Sequence, residues 1–173
     1  MCWYKLKLMK RFFRALLIVI VVLLLLLQFY PRAKDNVKGS QAKHIATLYP
    51  VPDSVERLLS VACYDCHSNS TSYPWYYNIQ PLAWWLDDHI TEGKKELNFS
   101  DFAGYNLAKQ YHKLEEVEEF VNEDAMPLQS YTITHRAANL TETQKKTLVE
   151  WVAGIRAAMK TRYPADSLIR KKK

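Results

Sequence analysis

Five consecutive residues, Cys63-Tyr64-Asp65-Cys66-His67, hold the densest chemistry in the chain. Two thiols stand about one helical turn apart, and a histidine follows the second directly. This C-x-x-C-H spacing suits covalent capture of a haem, since each thiol can add across one vinyl group while the adjoining imidazole donates a ring nitrogen to the iron. Three plainer readings compete. A redox dithiol of the thioredoxin kind wants a βαβ context that the chain lacks. A zinc site would need two more ligands at paired spacing, which are missing. A structural disulfide explains the cysteines and leaves His67 idle.

A haem iron also needs a sixth ligand or an open position. Met126, directly before Pro127, is the first candidate for the distal axial ligand, and His89 is the alternative. A methionine in such a place otherwise fills a gap in the core. His44 falls in an expected linker, while His112 and His135 read as solvated or hydrogen-bonded residues. Methionine opposite histidine raises the potential and suits an electron carrier. Two histidines would lower it, and an open site would admit peroxide or gas chemistry.

The elements that must position these residues read as helices. Val55, Leu58, Leu59 and Ala62 recur at three- and four-residue spacing and run straight into Cys63, predicting a helix over 54–62. A second helix is expected from about Ile79 to Glu92, stopping at Gly93, with 94–104 as loop. A third covers Tyr105 to Val121, acidic on one face at Glu115, Glu116, Glu118 and Glu119. The last opens at Thr141, which with Gln144 forms a T-x-x-Q capping box, and runs to Lys160. No strand alternation of any length appears, so the class is all-α. Trp75, Tyr76, Tyr77, Trp84 and Trp85 read as the wall of a cofactor pocket or as ordinary aromatic core. The acidic run from Glu115 to Asp124 reads as a solvated helix face, or as a docking patch for a basic redox partner.

The N-terminus carries a separate signal. Lys5, Lys7, Lys10, Arg11 and Arg14 precede an uncharged run, Ala15 to Leu27. Counted from Phe12 to Tyr30, the apolar stretch is 19 residues broken only by Arg14 and Gln28, or roughly 28 Å if helical. The expectation is a single-pass transmembrane anchor over 15–30, with residues 1–14 cytoplasmic and the remainder periplasmic on the outer side of an inner membrane. The flank Gln28-Phe29-Tyr30-Pro31-Arg32 lacks the small residues of a cleavable signal peptide. Residues 31–52 read as a linker, 53–163 as the haem-binding domain and 164–173 as a basic tail. Of the three cysteines only Cys2 lies outside the motif, and it reads as a plain thiol, acylation being the alternative.

Net charge +6 invites a nucleic-acid reading. The ends dispose of it: nine of the 24 basic residues lie before the apolar run or in 170–173, leaving 15 against 18 acidic between them. The expected haem domain is mildly acidic, and no nucleic-acid partner is implied.

The segments CYDCHSNST, YPWYYNIQPLAWWLDDHI, EGKKELNFSDF, MPLQSYTITH and LTETQKKTLVEW together resemble a bacterial haem-binding domain family, common in membrane-anchored c-type cytochromes. The resemblance spans Cys63 to Trp151. It implies a cytochrome c-like helical domain around one covalently attached haem c, with thioethers at Cys63 and Cys66 and iron ligation by His67. Met126-Pro127 is similar to the distal loop of many mono-haem cytochromes c, but Met126 and His89 both stand at family-motif positions. The expected function is membrane-anchored, extracytoplasmic electron transfer to redox partner proteins. A peroxidase-like enzyme or haem sensor with an open distal site is the alternative, disfavoured by the lack of an evident distal Arg-His pair.

Overall fold

The computed structural model describes residues 2–31, 34, 36 and 41–170. The Cys2 side chain, part of the expected linker and Lys171 to Lys173 lie outside the described residues. Eight α-helices are described: α1 (Cys2–Leu27), α2 (Asp53–Ala62), α3 (Tyr64–His67), α4 (Leu82–Glu96), α5 (Leu107–Asn122), α6 (Gln129–Thr134), α7 (Glu142–Arg162) and α8 (Ala165–Leu168). Short 3₁₀ turns join them, and no strand occurs among the described residues. The all-α expectation is met. The chain divides into two compact units, Met1–Lys34 with Tyr73–His89, and Asp35–Ser72 with Ile90–Lys173. Helix α4 begins in the first and ends in the second.

In the first unit the sequence-based length of the apolar helix is corrected. Helix α1 ends at Leu27, and Gln28, Phe29 and Tyr30 follow as turns whose amides reach Leu25 O, Leu26 O and Leu27 O (each 3.1 Å) instead of continuing the α-helix. The cause is visible at Gln28. Its amide donates to Leu24 O (2.9 Å) and Gln80 O (3.0 Å), and its Oε1 accepts from Gln80 N at 3.0 Å. The uncharged part, Ala15 to Leu27, is therefore only 13 residues, about 20 Å against a hydrocarbon core of about 30 Å. Extending it back to residue 10 takes in Arg14, Arg11 and Lys10. Among the described residues no helix is long and apolar enough to cross a membrane. The expected transmembrane helix is not supported.

The second unit holds the main core. Helix α2 buries Val55, Leu58 and Leu59 on one stripe, and Asp53 and Glu56 in its first turn complement the helix dipole. Helix α5 starts at Asn106, whose side chain accepts from Lys109 N (2.9 Å). The expected capping box at α7 is formed in both directions by Thr141 and Gln144. Helix α7 packs against both α5 and α2, and α8 closes on α5. Fully buried Ile45, Leu59, Phe99, Leu114, Leu148 and Val152 form the centre. The first and last long helices of this unit, α2 and α7, thus meet. Ile45 and Pro50 belong to the stretch read as linker, yet Ile45 is in this core and Pro50 O accepts a hydrogen bond from Trp151 Nε1 (2.9 Å).

Acidic residues of α5 are largely engaged within the fold. Arg156 pairs with Glu115 (2.6 Å) and with Glu118, and Lys113 bridges Glu96 (2.8 Å) and Glu116 (2.6 Å). Lys113 is itself buried, so these bonds hold its charge where burial alone would expel it. Leu148 lies at the α7 interface with no exposed surface. Leu148→Ala should lower unfolding free energy by about 2–5 kcal/mol in urea titration; a loss below about 1 kcal/mol would show that this core is not closed.

Candidate functional site

The C-x-x-C-H residues form the joint between α2 and α3. Helix α2 stops as Cys63 N reaches Leu59 O (2.9 Å), and the Cys63 carbonyl then accepts from Cys66 N (3.2 Å) and His67 N (2.9 Å). One carbonyl thus closes the single turn that sets the two cysteines and the histidine. Asp65 holds the outgoing loop: its carboxylate accepts from Ser72 N (2.8 Å) and its backbone oxygen from Thr71 Oγ1 (2.8 Å).

His67 is the most tightly placed side chain of the five. Its Nδ1 lies 2.9 Å from Gly93 O and 3.0 Å from Leu97 O. Carbonyl oxygens only accept, so Nδ1 carries the proton and Nε2 keeps the lone pair. Burial lowers the His67 pKa, with the two carbonyl bonds opposing it. A neutral imidazole with Nδ1–H tied to backbone and Nε2 available is the form that binds a metal. The main chain is held by the same stretch, Phe99 N donating to His67 O at 2.8 Å.

The two thiols are unbridged. Burial, with Cys66 nearby, pushes Cys63 up to about 12. Burial and then Asp65 push Cys66 up to about 11, Lys94 opposing. Both are protonated at neutral pH, the opposite of the depressed values that activate a redox dithiol. Among the described residues no three His, Cys, Asp or Glu side chains converge as a metal-ion site. The zinc alternative therefore lacks its ligand set. Two intact thiols beside a correctly tautomerised histidine fit a haem held through Cys63, Cys66 and His67.

Gly93 is the residue that sequence reasoning misjudged. It was expected to stop a helix, with loop from 94. Instead α4 continues through it to Glu96. A Cβ at Gly93 would stand 2.6 Å from Cys66 O and 3.0 Å from Cys66 Cβ. The glycine is there to let α4 touch the cysteine turn, and this contact brings the Gly93 and Leu97 carbonyls to His67. Residues 91–96 carry no apolar spacing that would signal the continuation.

Tyr131 is a second residue overlooked by pattern. Its hydroxyl donates to Asp65 Oδ2 (2.7 Å), and its ring stacks on His135 with centroids 4.1 Å apart. Helix α6 is thereby tied to the interior of the C-x-x-C-H turn. Met126 lies just before α6 in the same unit, half-buried, in a turn where Asp124 takes a left-handed φ of 57° and Ala125 N and Met126 N both return to Phe120 O. His89 belongs to the first unit, with Nδ1 2.8 Å from Trp85 O. His44 caps a 3₁₀ turn and, with Glu56, Tyr64, Ser68, Ser70 and Ser100, lines a polar cavity of about 260 Å³. His112 pairs with Glu116 at 3.0 Å.

A protein whose described residues are helical, built around a half-buried C-x-x-C-H turn, is the class that this geometry defines. The family described as "Haem-binding domain" matches residues 22–154, and the chain belongs to that family. Haem is accordingly its cofactor. No curated protein and no solved structure matches the chain.

Two substitutions test the site. A helix-interior glycine replaced by alanine ordinarily gains about 1 kcal/mol; Gly93→Ala should instead lose stability and haem content, read by urea titration and by haem absorbance per chain. A stabilised protein with full haem would remove the close contact from the account. Tyr131→Phe should cost about 1–3 kcal/mol by leaving Asp65 short of a donor, with no measurable change expected from Ser130→Ala on the same helix.

Proposed function

We propose that the chain is a mono-haem c-type cytochrome that carries electrons on the extracytoplasmic side of a membrane and is held at that membrane by α1. The observation that carries this reading is the pairing of two unbridged, protonated thiols with a His67 whose Nδ1–H is locked onto the Gly93 and Leu97 carbonyls. Each thiol would add its sulfur to one vinyl carbon and its hydrogen to the other, so attachment at Cys63 and Cys66 would need no oxidant. His67 Nε2 would hold the iron, and Met126 would supply its second protein ligand. Bound haem supplies one-electron chemistry. The residues of the chain hold and orient it: the bonds from 93–99 prevent His67 from rotating, and Tyr131 fixes the turn through Asp65.

The extracytoplasmic placement rests on the basic cluster before Ala15, and an exported C-x-x-C pair is one that must be put to use or oxidised. His89 is a second candidate for the distal position because its Nδ1–H is likewise committed to a backbone carbonyl. The redox partners are expected to be proteins.

The pyridine haemochrome spectrum of exported protein should report thioether-linked haem. Cys63→Ala or Cys66→Ala should lose one thioether and shift that spectrum, and an unshifted spectrum would overturn covalent attachment. The oxidised protein should show the weak far-red band of methionine-ligated iron, absent in Met126→Ala and kept in His89→Ala. A high-spin spectrum with ready carbon monoxide binding would sink the carrier reading.

A further inference from the structure

The first unit exposes more apolar surface than a soluble module can leave uncovered. Every residue from Leu16 to Leu26 leaves 42–63 % of its surface exposed. Eleven successive helical positions point in every direction around the axis, so no single partner face could cover them. Lipid is the environment that suits such a rod, although it is not long and apolar enough to cross a bilayer.

The chain does not leave this rod as a free tether. Gln28, at its end, forms the reciprocal pair of hydrogen bonds with the Gln80 backbone, and Gln80 is itself buried. Tyr30 meets the edge of Trp84 with ring centroids 5.1 Å apart. Gln80 Oε1 in turn accepts from Trp84 N (3.3 Å) at the start of α4. The segment 73–89 is therefore fastened to the end of α1 within one compact unit. Tyr76, Tyr77, Ala83 and Leu86 bury themselves there. The complementary set is exposed: Trp75 at 76 % and Phe29 at 86 %, with Ile79, Leu82, Trp84 and Trp85 each above 39 %.

Tryptophan and tyrosine at the end of an apolar rod match the headgroup zone of a bilayer, where an amphipathic ring has both an apolar and a wet side. Five basic residues near the far end of α1 add attraction to anionic lipid. Asp87 and the exposed Asp88 follow Trp84 and Trp85 in the chain. We propose that the segment 73–89 is an aromatic wedge seated in the lipid headgroup region, so that the chain meets the membrane through α1 and this wedge together. The proposal rests on the membrane attachment argued above, but not on the haem ligands.

The test uses the full haem-loaded chain with mixed phosphatidylcholine and phosphatidylglycerol vesicles. A lipid carrying a photoreactive diazirine near its headgroup is activated by light, and adducts are mapped by mass spectrometry. Adducts are expected on peptides covering 73–89 and Phe29-Tyr30, with none on the α7 peptide containing Trp151. Ile79→Glu with Leu82→Glu should reduce the 73–89 adducts several-fold while α1 keeps its own. Adducts confined to α1 would overturn the wedge and leave membrane attachment standing. No adducts on either would overturn both, and the haemochrome spectrum of the same sample shows separately whether the cofactor reading survives.

Discussion

The bond from His67 Nδ1 to the carbonyls of Gly93 and Leu97 is the constraint on which the site depends. It fixes the tautomer, the ring orientation and the availability of Nε2 at once. It exists only because α4 lies against the cysteine turn at a distance that excludes any Cβ at position 93. The stretch from Gly93 to Phe99 then holds His67 by side chain and by main chain alike. A histidine that is free to rotate is a poor ligand, and these bonds hold the His67 ring in one orientation.

Burial works in the same direction on the neighbouring thiols. Cys63 and Cys66 are pushed up to about 12 and about 11, so the pair is protonated and poorly nucleophilic at neutral pH. An enzyme that exchanges disulfides needs thiolate, and this environment denies it. The surrounding network is directed at holding the turn still. Glu56 accepts from the Tyr64 hydroxyl (2.9 Å), and Asp65 receives Tyr131 and Ser72. The acidic face of α5 belongs to the same structural effort, since Glu115, Glu116 and Glu118 neutralise Arg156 and Lys113. Partly buried and shared between several groups, these pairs hold α5, α7 and the end of α4 together.

Elements with a local cause were legible in the sequence. The α2 stripe, the Thr141–Gln144 capping box and the all-helical class follow from spacing within a single turn or two. Elements with a distant cause were not. Gly93 reads as a stop because glycine weakens isolated helices, and only the presence of Cys66 opposite explains why the helix continues. The apolar N-terminal run reads as long enough to span a bilayer until Gln28 is drawn onto Gln80, 52 residues away, and the helix ends at Leu27. Ile45 and Pro50 read as linker because no period marks them, yet Phe99 and Trp151 give them partners.

By itself the sequence determined the C-x-x-C-H chemistry. Two thiols and an imidazole at that spacing are suited to haem because reach and ligand type are properties of the residues, although dithiol, zinc and disulfide readings share the same pattern. Tertiary structure decided what the pentapeptide cannot encode. It selected which His67 nitrogen is free, made Gly93 the contact that sets α4, and tied α6 to Asp65 through Tyr131. Each of these is a hydrogen bond or steric contact between residues 26 to 66 positions apart. Such pairings arise only when packing brings the segments together, and no periodicity along the chain records them.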